Sequence, residues 1–169
     1  AIIVFPVCLH HFTGCDMGYV YRELEKRFPE ITFVRGWMDP IMQKTGPTPD
    51  MKLRKAMMDV LAPVSHSTGK AALLGDIYAL DPESELMRLI AAANALTGAG
   101  EAPVQIQDCG DLDPYLSLAG RDLLITRSPI AAAAVRQTAR RLSRKALYLP
   151  AAAGYTEIRQ LLETTAGTL

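Results

Sequence analysis

Two thiols and two imidazoles fall within eight residues near the start of the chain, in the run Cys8-Leu9-His10-His11-Phe12-Thr13-Gly14-Cys15-Asp16. Thiolates bind zinc and iron–sulfur clusters, and imidazoles bind zinc and iron. The run directly follows Ala1-Ile2-Ile3-Val4-Phe5-Pro6-Val7, an apolar segment that reads as a buried strand. Open α/β sheets bind ligands at the carboxyl ends of their strands. A thiol at such a tip is a metal ligand, a nucleophile, or a packed and inert cysteine. Cys8 and Cys15 are seven positions apart, which is not the spacing of a zinc knuckle. His10 and His11 also read as polar loop residues, and Asp16 as the cap of the helix that follows it.

Two further strand-to-helix turns carry polar groups. Gln107-Asp108-Cys109-Gly110-Asp111 places the third cysteine at a strand end, and Thr126-Arg127-Ser128-Pro129 places an arginine at another. An arginine there holds an anion beside a helix start, or pairs with a neighbouring acid. Gly69-Lys70 lacks the remaining residues of a phosphate loop, no GxGxxG follows a strand, and no nucleophile elbow is present.

Lysine plus arginine equals aspartate plus glutamate, 18 against 18, which argues against a nucleic-acid partner. The basic cluster Arg136, Arg140, Arg141, Arg144 and Lys145 reads as a solvated face near a helix end. No apolar stretch approaches the length of a membrane span, and the first residues do not follow a secretory pattern. Three unevenly placed cysteines do not form a disulfide framework and point to a reducing cytoplasm. The chain opens inside a strand pattern without a methionine, as a piece of a longer subunit would.

The elements that must position these turns alternate along the chain. Strands are predicted at Ala1 to Val7, Ile31 to Arg35, Lys70 to Gly75, Val104 to Asp108, Asp122 to Thr126 and Ala146 to Leu149. Helices are predicted at Asp16 to Arg27, Asp50 to Leu61, Pro82 to Leu96, Pro114 to Ala119, Pro129 to Leu142 and Tyr155 to Glu163. Asp81-Pro82 and Ser128-Pro129 each place a capping side chain before a proline at the first helical position. Alternation of this kind predicts an α/β fold with mainly parallel sheets, arranged as two Rossmann-like three-layer lobes. The first lobe spans residues 1–62 and the second residues 70–169. Gly36 to Pro49, with three prolines and two glycines, reads as an irregular loop.

Together these turns resemble the nitrogenase component 1 family, which includes nitrogenase subunits, cofactor-assembly scaffolds, and dark-operative protochlorophyllide and chlorophyllide reductases. Those chains carry a strand, a cluster-binding cysteine, a glycine six residues on, and an aspartate eight residues on that opens a helix. Cys8, Gly14 and Asp16 match that spacing. Val104 to Gly110, Pro114 to Ala119 and Leu123 to Ser128 are similar to a later strand, turn, short helix, strand and arginine-serine of the family. Ala146 to Tyr155 resembles the segment before its third lobe. Two departures matter. The family's subunits are much longer, and their bridging cluster takes further cysteines from segments absent here. The catalytic nitrogenase subunit has a cofactor-binding cysteine two residues before that arginine, and here the position is Ile125, which cannot ligate iron.

The resemblance implies a domain of a nitrogenase-like oxidoreductase that helps hold an iron–sulfur cluster for electron transfer to a substrate. Cys8 is the primary ligand it implies, with Cys15, His10, His11 or Cys109 as second ligands, and Gly14, Asp16, Arg127 and Ser128 as cofactor-site residues. It also implies a sister subunit and an ATP-dependent iron–sulfur reductase as partners, and an isolated piece that is inactive. The alternatives are a metal-free, Rossmann-like small-molecule or anion-binding module using Arg127, and an assembly scaffold that holds a cluster precursor without turnover.

Overall fold

The computed structural model describes residues 1–37, 45–76, 84, 87–88, 91, 103–150 and 154–168. The chain divides into two compact units, Ala1–Val60 and Leu61–Leu169. Both hold parallel sheets with helices between the strands, so the fold is α/β and Rossmann-like.

In the first unit β1 (Ile2–Val4) pairs in parallel with β2 (Phe33–Arg35), in the register Ile2↔Phe33 and Val4↔Arg35. Between them lie α1 (Leu9–Thr13) and α2 (Met17–Arg27), and α3 (Pro49–Asp59) follows. Helices α2 and α3 both pack on β2. Tyr21, Val34 and Met58 form the buried apolar positions of this unit. Arg54 is buried beside them, its Nε donating to both Asp50 carboxylate oxygens at 3.2 and 3.1 Å, which keeps that charge paired as burial requires. The predicted buried strand is shorter than its apolar run and is largely exposed, with Ile2 at 48% and Ile3 at 37%. An apolar run cannot by itself say whether a strand lies inside a sheet or at its edge.

The second unit carries a four-stranded parallel sheet in the order β4-β3-β5-β6. Its strands are β3 (Ala71–Leu73), β4 (Val104–Gln105), β5 (Leu123–Thr126) and β6 (Lys145–Tyr148). Its helices are α4 (Leu112–Ser117), α5 (Ala132–Leu142) and α6 (Tyr155–Thr168). Strand side chains alternate between faces. Ala71, Leu73, Leu123, Ile125, Leu147 and Leu149 thus share one core with Met87, and Leu161 of α6 packs against it. The alternate residues Ala72, Leu74 and Leu124 are equally buried, so the sheet is covered on both faces, as parallel sheets are. Helix α5 packs on β5 and β6 and buries Ala132, Val135, Ala139 and Leu142 at helical spacing.

Three details depart from the sequence reading. The strand predicted to run to Asp108 ends at Gln105, because residues 106–108 close into a 3₁₀ turn. There the Gln105 N–H donates to Asp108 Oδ2 at 2.8 Å. Ser128-Pro129 does not cap a helix directly. The Ser128 carbonyl accepts the Ala131 and Ala132 N–H groups at 3.1 Å, a turn intervenes, and α5 starts at Ala132. The basic cluster is not uniformly a solvated face. The Arg144 guanidinium, 11% exposed, donates to the carbonyls of Ala119, Val64 and His66 and to Asp122 Oδ1. Asp122 also accepts from Ser67 Oγ and the Gly69 N–H, so this pair fastens residues 64–69 to the amino edge of the sheet.

Residues 87–88 and 91 are helical, inside the helix predicted from Pro82. The Asp81-Pro82 start, and residues 38–44 of the predicted loop, lie outside the described residues. Among the described residues no helix is long and apolar enough to cross a membrane.

Candidate functional site

Cys8 stands four residues beyond the end of β1, half-buried, at the position that opens α1. The predicted polar loop therefore contains a five-residue helix, which closes at Gly14 in the left-handed conformation, φ +63°. Glycine adopts that conformation without the cost a Cβ would bring. The turn lets the Cys15 N–H donate back to the His10 carbonyl at 3.0 Å. Asp16 then caps α2, its Oδ1 accepting the Tyr19 N–H at 3.1 Å, while Arg22 approaches its other oxygen at 3.9 Å. Each of the three residues spaced six and eight apart thus has a distinct place: a thiol near the strand tip, a reversing glycine, and a helix cap.

The approach to Cys8 is pinned at both ends. The Tyr21 hydroxyl and the Gly36 N–H both donate to the Val4 carbonyl at 2.9 Å. At the other end the Val7 carbonyl accepts the His10 N–H at 3.2 Å and His10 Nδ1 at 2.6 Å. The His10 ring lies 4.1 Å from the His11 ring and edge-on to Trp37 at 6.5 Å, and Trp37 lies 6.0 Å from Tyr21. Arg35 covers the Tyr21 ring at 4.9 Å. Burial raises the Tyr21 pKa, and the Arg35 charge offsets part of that rise.

Within the first unit, Cys8, His10, His11 and Cys15 are not grouped as ligands of one ion. Cys15 is exposed on the far side of α1 in sequence, and Cys109 belongs to the second unit. Among the described residues no three His, Cys, Asp or Glu side chains are grouped as a metal ion requires. The described residues do not fit a metal ion or cluster enclosed by this chain alone; a group held at Cys8 would have to take its other ligands from elsewhere. Cys109 is a poor thiolate: burial first, then the Asp108 charge, raise its pKa, with Arg121 opposing, and its Sγ faces the Gln105 carbonyl at 3.7 Å.

A second polar convergence lies in the second unit, at the carboxyl ends of β3, β4 and β5. The connection from β3 leads to β4 on one flank, and the chain then returns to β5 on the other. The boundary between β3 and β5 is therefore the switch point at which doubly wound sheets open a crevice. Asp76 Oδ2 accepts the Arg127 N–H there at 3.2 Å, and Gln107 Nε2 donates to the Asp76 carbonyl at 3.2 Å. Thr126 Oγ1 accepts the Ser128 N–H at 3.2 Å. Arg127 thus meets its acid through the backbone, not through a guanidinium salt bridge. Asp76 carries no motif of its own in the sequence; only the adjacency of β3 and β5 reveals it.

No family model matches the chain, and no curated protein matches it.

Proposed function

We propose that this chain is a domain of a nitrogenase-like, component 1 type oxidoreductase, and that Cys8 supplies one thiolate to an iron–sulfur cluster completed by a sister subunit. The observation that carries this reading is the set of places held by Cys8, Gly14 and Asp16. The glycine closes the short helix begun at the cysteine, and the aspartate caps the next. A cluster so held carries single electrons, delivered here by an ATP-dependent iron–sulfur reductase. The role of this chain is to hold the thiol on a pinned segment, since a ligand on a wandering loop would not fix a cluster's position. A reducing cytoplasm would keep all three thiols in the required state. The test is electron paramagnetic resonance of the full-length protein, produced without oxygen together with its sister chain and reduced with dithionite. A cluster signal in the wild type that disappears in Cys8→Ser supports the reading, and an identical signal in both refutes it.

The half-buried Arg127, at the carboxyl end of β5 beside the switch point of the second sheet, supports a second reading, a metal-free module that binds a small anion through its guanidinium. Calorimetric titration with inorganic phosphate distinguishes it. Saturable binding that Arg127→Gln removes, in protein free of iron, supports this reading over the first.

A further inference from the structure

His10 satisfies the Val7 carbonyl twice. Its backbone N–H donates at 3.2 Å as part of the turn into α1, and its Nδ1 reaches the same oxygen at 2.6 Å. A carbonyl oxygen only accepts, so Nδ1 carries the proton and the neutral ring is the Nδ1–H tautomer. The second bond is not a consequence of helix formation; it exists because position 10 is a histidine. The ring is also braced on its face by His11 and at its edge by Trp37. The Val7 carbonyl belongs to the peptide that joins Val7 to Cys8. Whatever fixes that oxygen fixes the plane from which the thiol-bearing residue departs.

We propose that His10 is a positioning residue for the Cys8 thiol, acting through the Val7 carbonyl. This rests on the reading of Cys8 as a cluster thiolate and gives His10 a part distinct from the ligand role that the resemblance implied. Tyr21 holds Val4 at one end of the connecting segment and His10 holds Val7 at the other, so the three residues between β1 and Cys8 are tied at both ends. Preorganisation of this kind keeps a ligand in place before its metal arrives.

The experiment uses the full chain carrying Cys15→Ser and Cys109→Ser, which leaves Cys8 as the one thiol. Its rate of alkylation by iodoacetamide is measured at one neutral pH, and long-range ¹⁵N–¹H correlation reads the His10 tautomer in the same protein. Removing one hydrogen bond's worth of restraint in His10→Ala accelerates alkylation about five-fold. His10→Asn, whose amide N–H sits near the place of Nδ1–H, returns the rate to within about two-fold of the parent. Circular dichroism and Trp37 fluorescence monitor the fold. An unchanged rate in His10→Ala, failure of His10→Asn to rescue, or an Nε2–H tautomer in the parent overturns the proposal. The tautomer remains decisive if His10→Ala does not fold. Iron content separates the two claims. An iron-free complex of the full-length protein with its sister chain, all cysteines in place, beside His10-dependent reactivity in the single-thiol chain, overturns the cluster reading alone. An iron-loaded complex whose single-thiol chain is indifferent to His10 overturns the positioning role alone.

Discussion

The Tyr21 hydroxyl donates to the Val4 carbonyl at 2.9 Å, so the last residue of β1 is tied to the middle of α2. Tyr21 is fully buried, and its ring lies under Arg35 and beside Trp37. The residue that anchors the strand is therefore also the apolar centre of the first unit. Any loosening of that centre reaches the segment that carries Cys8.

This relationship gives stability an alkaline limit. Burial raises the Tyr21 pKa, so the folded chain holds the phenolic proton more tightly than the unfolded chain. Stability is fully present below the ordinary tyrosine pKa of about 10 and is lost as pH rises through the raised folded value. Thermal melts between about pH 8 and pH 11 should show this loss in the wild type and a smaller one in Tyr21→Phe. At neutral pH, Tyr21→Phe should cost about 1 kcal/mol for the lost hydrogen bond. Equal pH slopes in the two proteins would remove Tyr21 as the cause.

Gly36 allows the chain after β2 to lie against the segment that leads to Cys8. A Cβ at this position would meet the Phe5 ring at 2.7 and 2.9 Å. Gly36→Ala should destabilise by about 1–3 kcal/mol, as overpacking does. Adding Phe5→Ala should recover part of that loss, a coupling that a double-mutant cycle in urea measures directly.

Gly14 tests backbone strain in isolation, because its φ is +63° and nothing lies within 4 Å of where a Cβ would stand. Gly14→Ala should cost about 1–2 kcal/mol with no steric contribution, and Gly14→Asn less, since asparagine tolerates this conformation. Equal stability of the alanine and glycine proteins in denaturant melts would argue that the turn relaxes.

Arg144 is the corresponding test in the second unit. Arg144→Ala removes the side-chain donor to the Ala119, Val64 and His66 carbonyls and one of the donors to the Asp122 carboxylate. The expected loss is about 2–4 kcal/mol. Limited proteolysis should then cut residues 64–69 first, because that stretch has no regular structure and loses the donor to its Val64 and His66 carbonyls. Cleavage unchanged from wild type would contradict the role given to Arg144.

The strands were legible from their short apolar runs: the six among the described residues fall within or one residue from the predicted segments. Helix starts were less so. Ser128-Pro129 has the composition of a cap, but the chain makes a turn there before α5 begins. At the candidate site, the cysteine-to-aspartate spacing marked a segment whose glycine closes a short helix and whose aspartate caps the next, while that short helix was hidden by two adjacent histidines that read as loop. The tasks of Asp76 and Arg144 were out of reach for a different reason. Asp76 meets Arg127 across 51 residues, and Arg144 reaches Val64 across 80. Contacts of that range depend on strand order, and no local pattern encodes it.

The central claim is that the thiol at the tip of the first strand ligates iron. Iron and acid-labile sulfide should therefore be quantified in the full-length protein purified without oxygen with its sister chain, beside the Cys8→Ala variant of the same complex. The account predicts both elements in the wild type and their loss from the variant while the fold and the complex persist. Equal iron and sulfide in the two preparations, or neither element in the wild type, would contradict it.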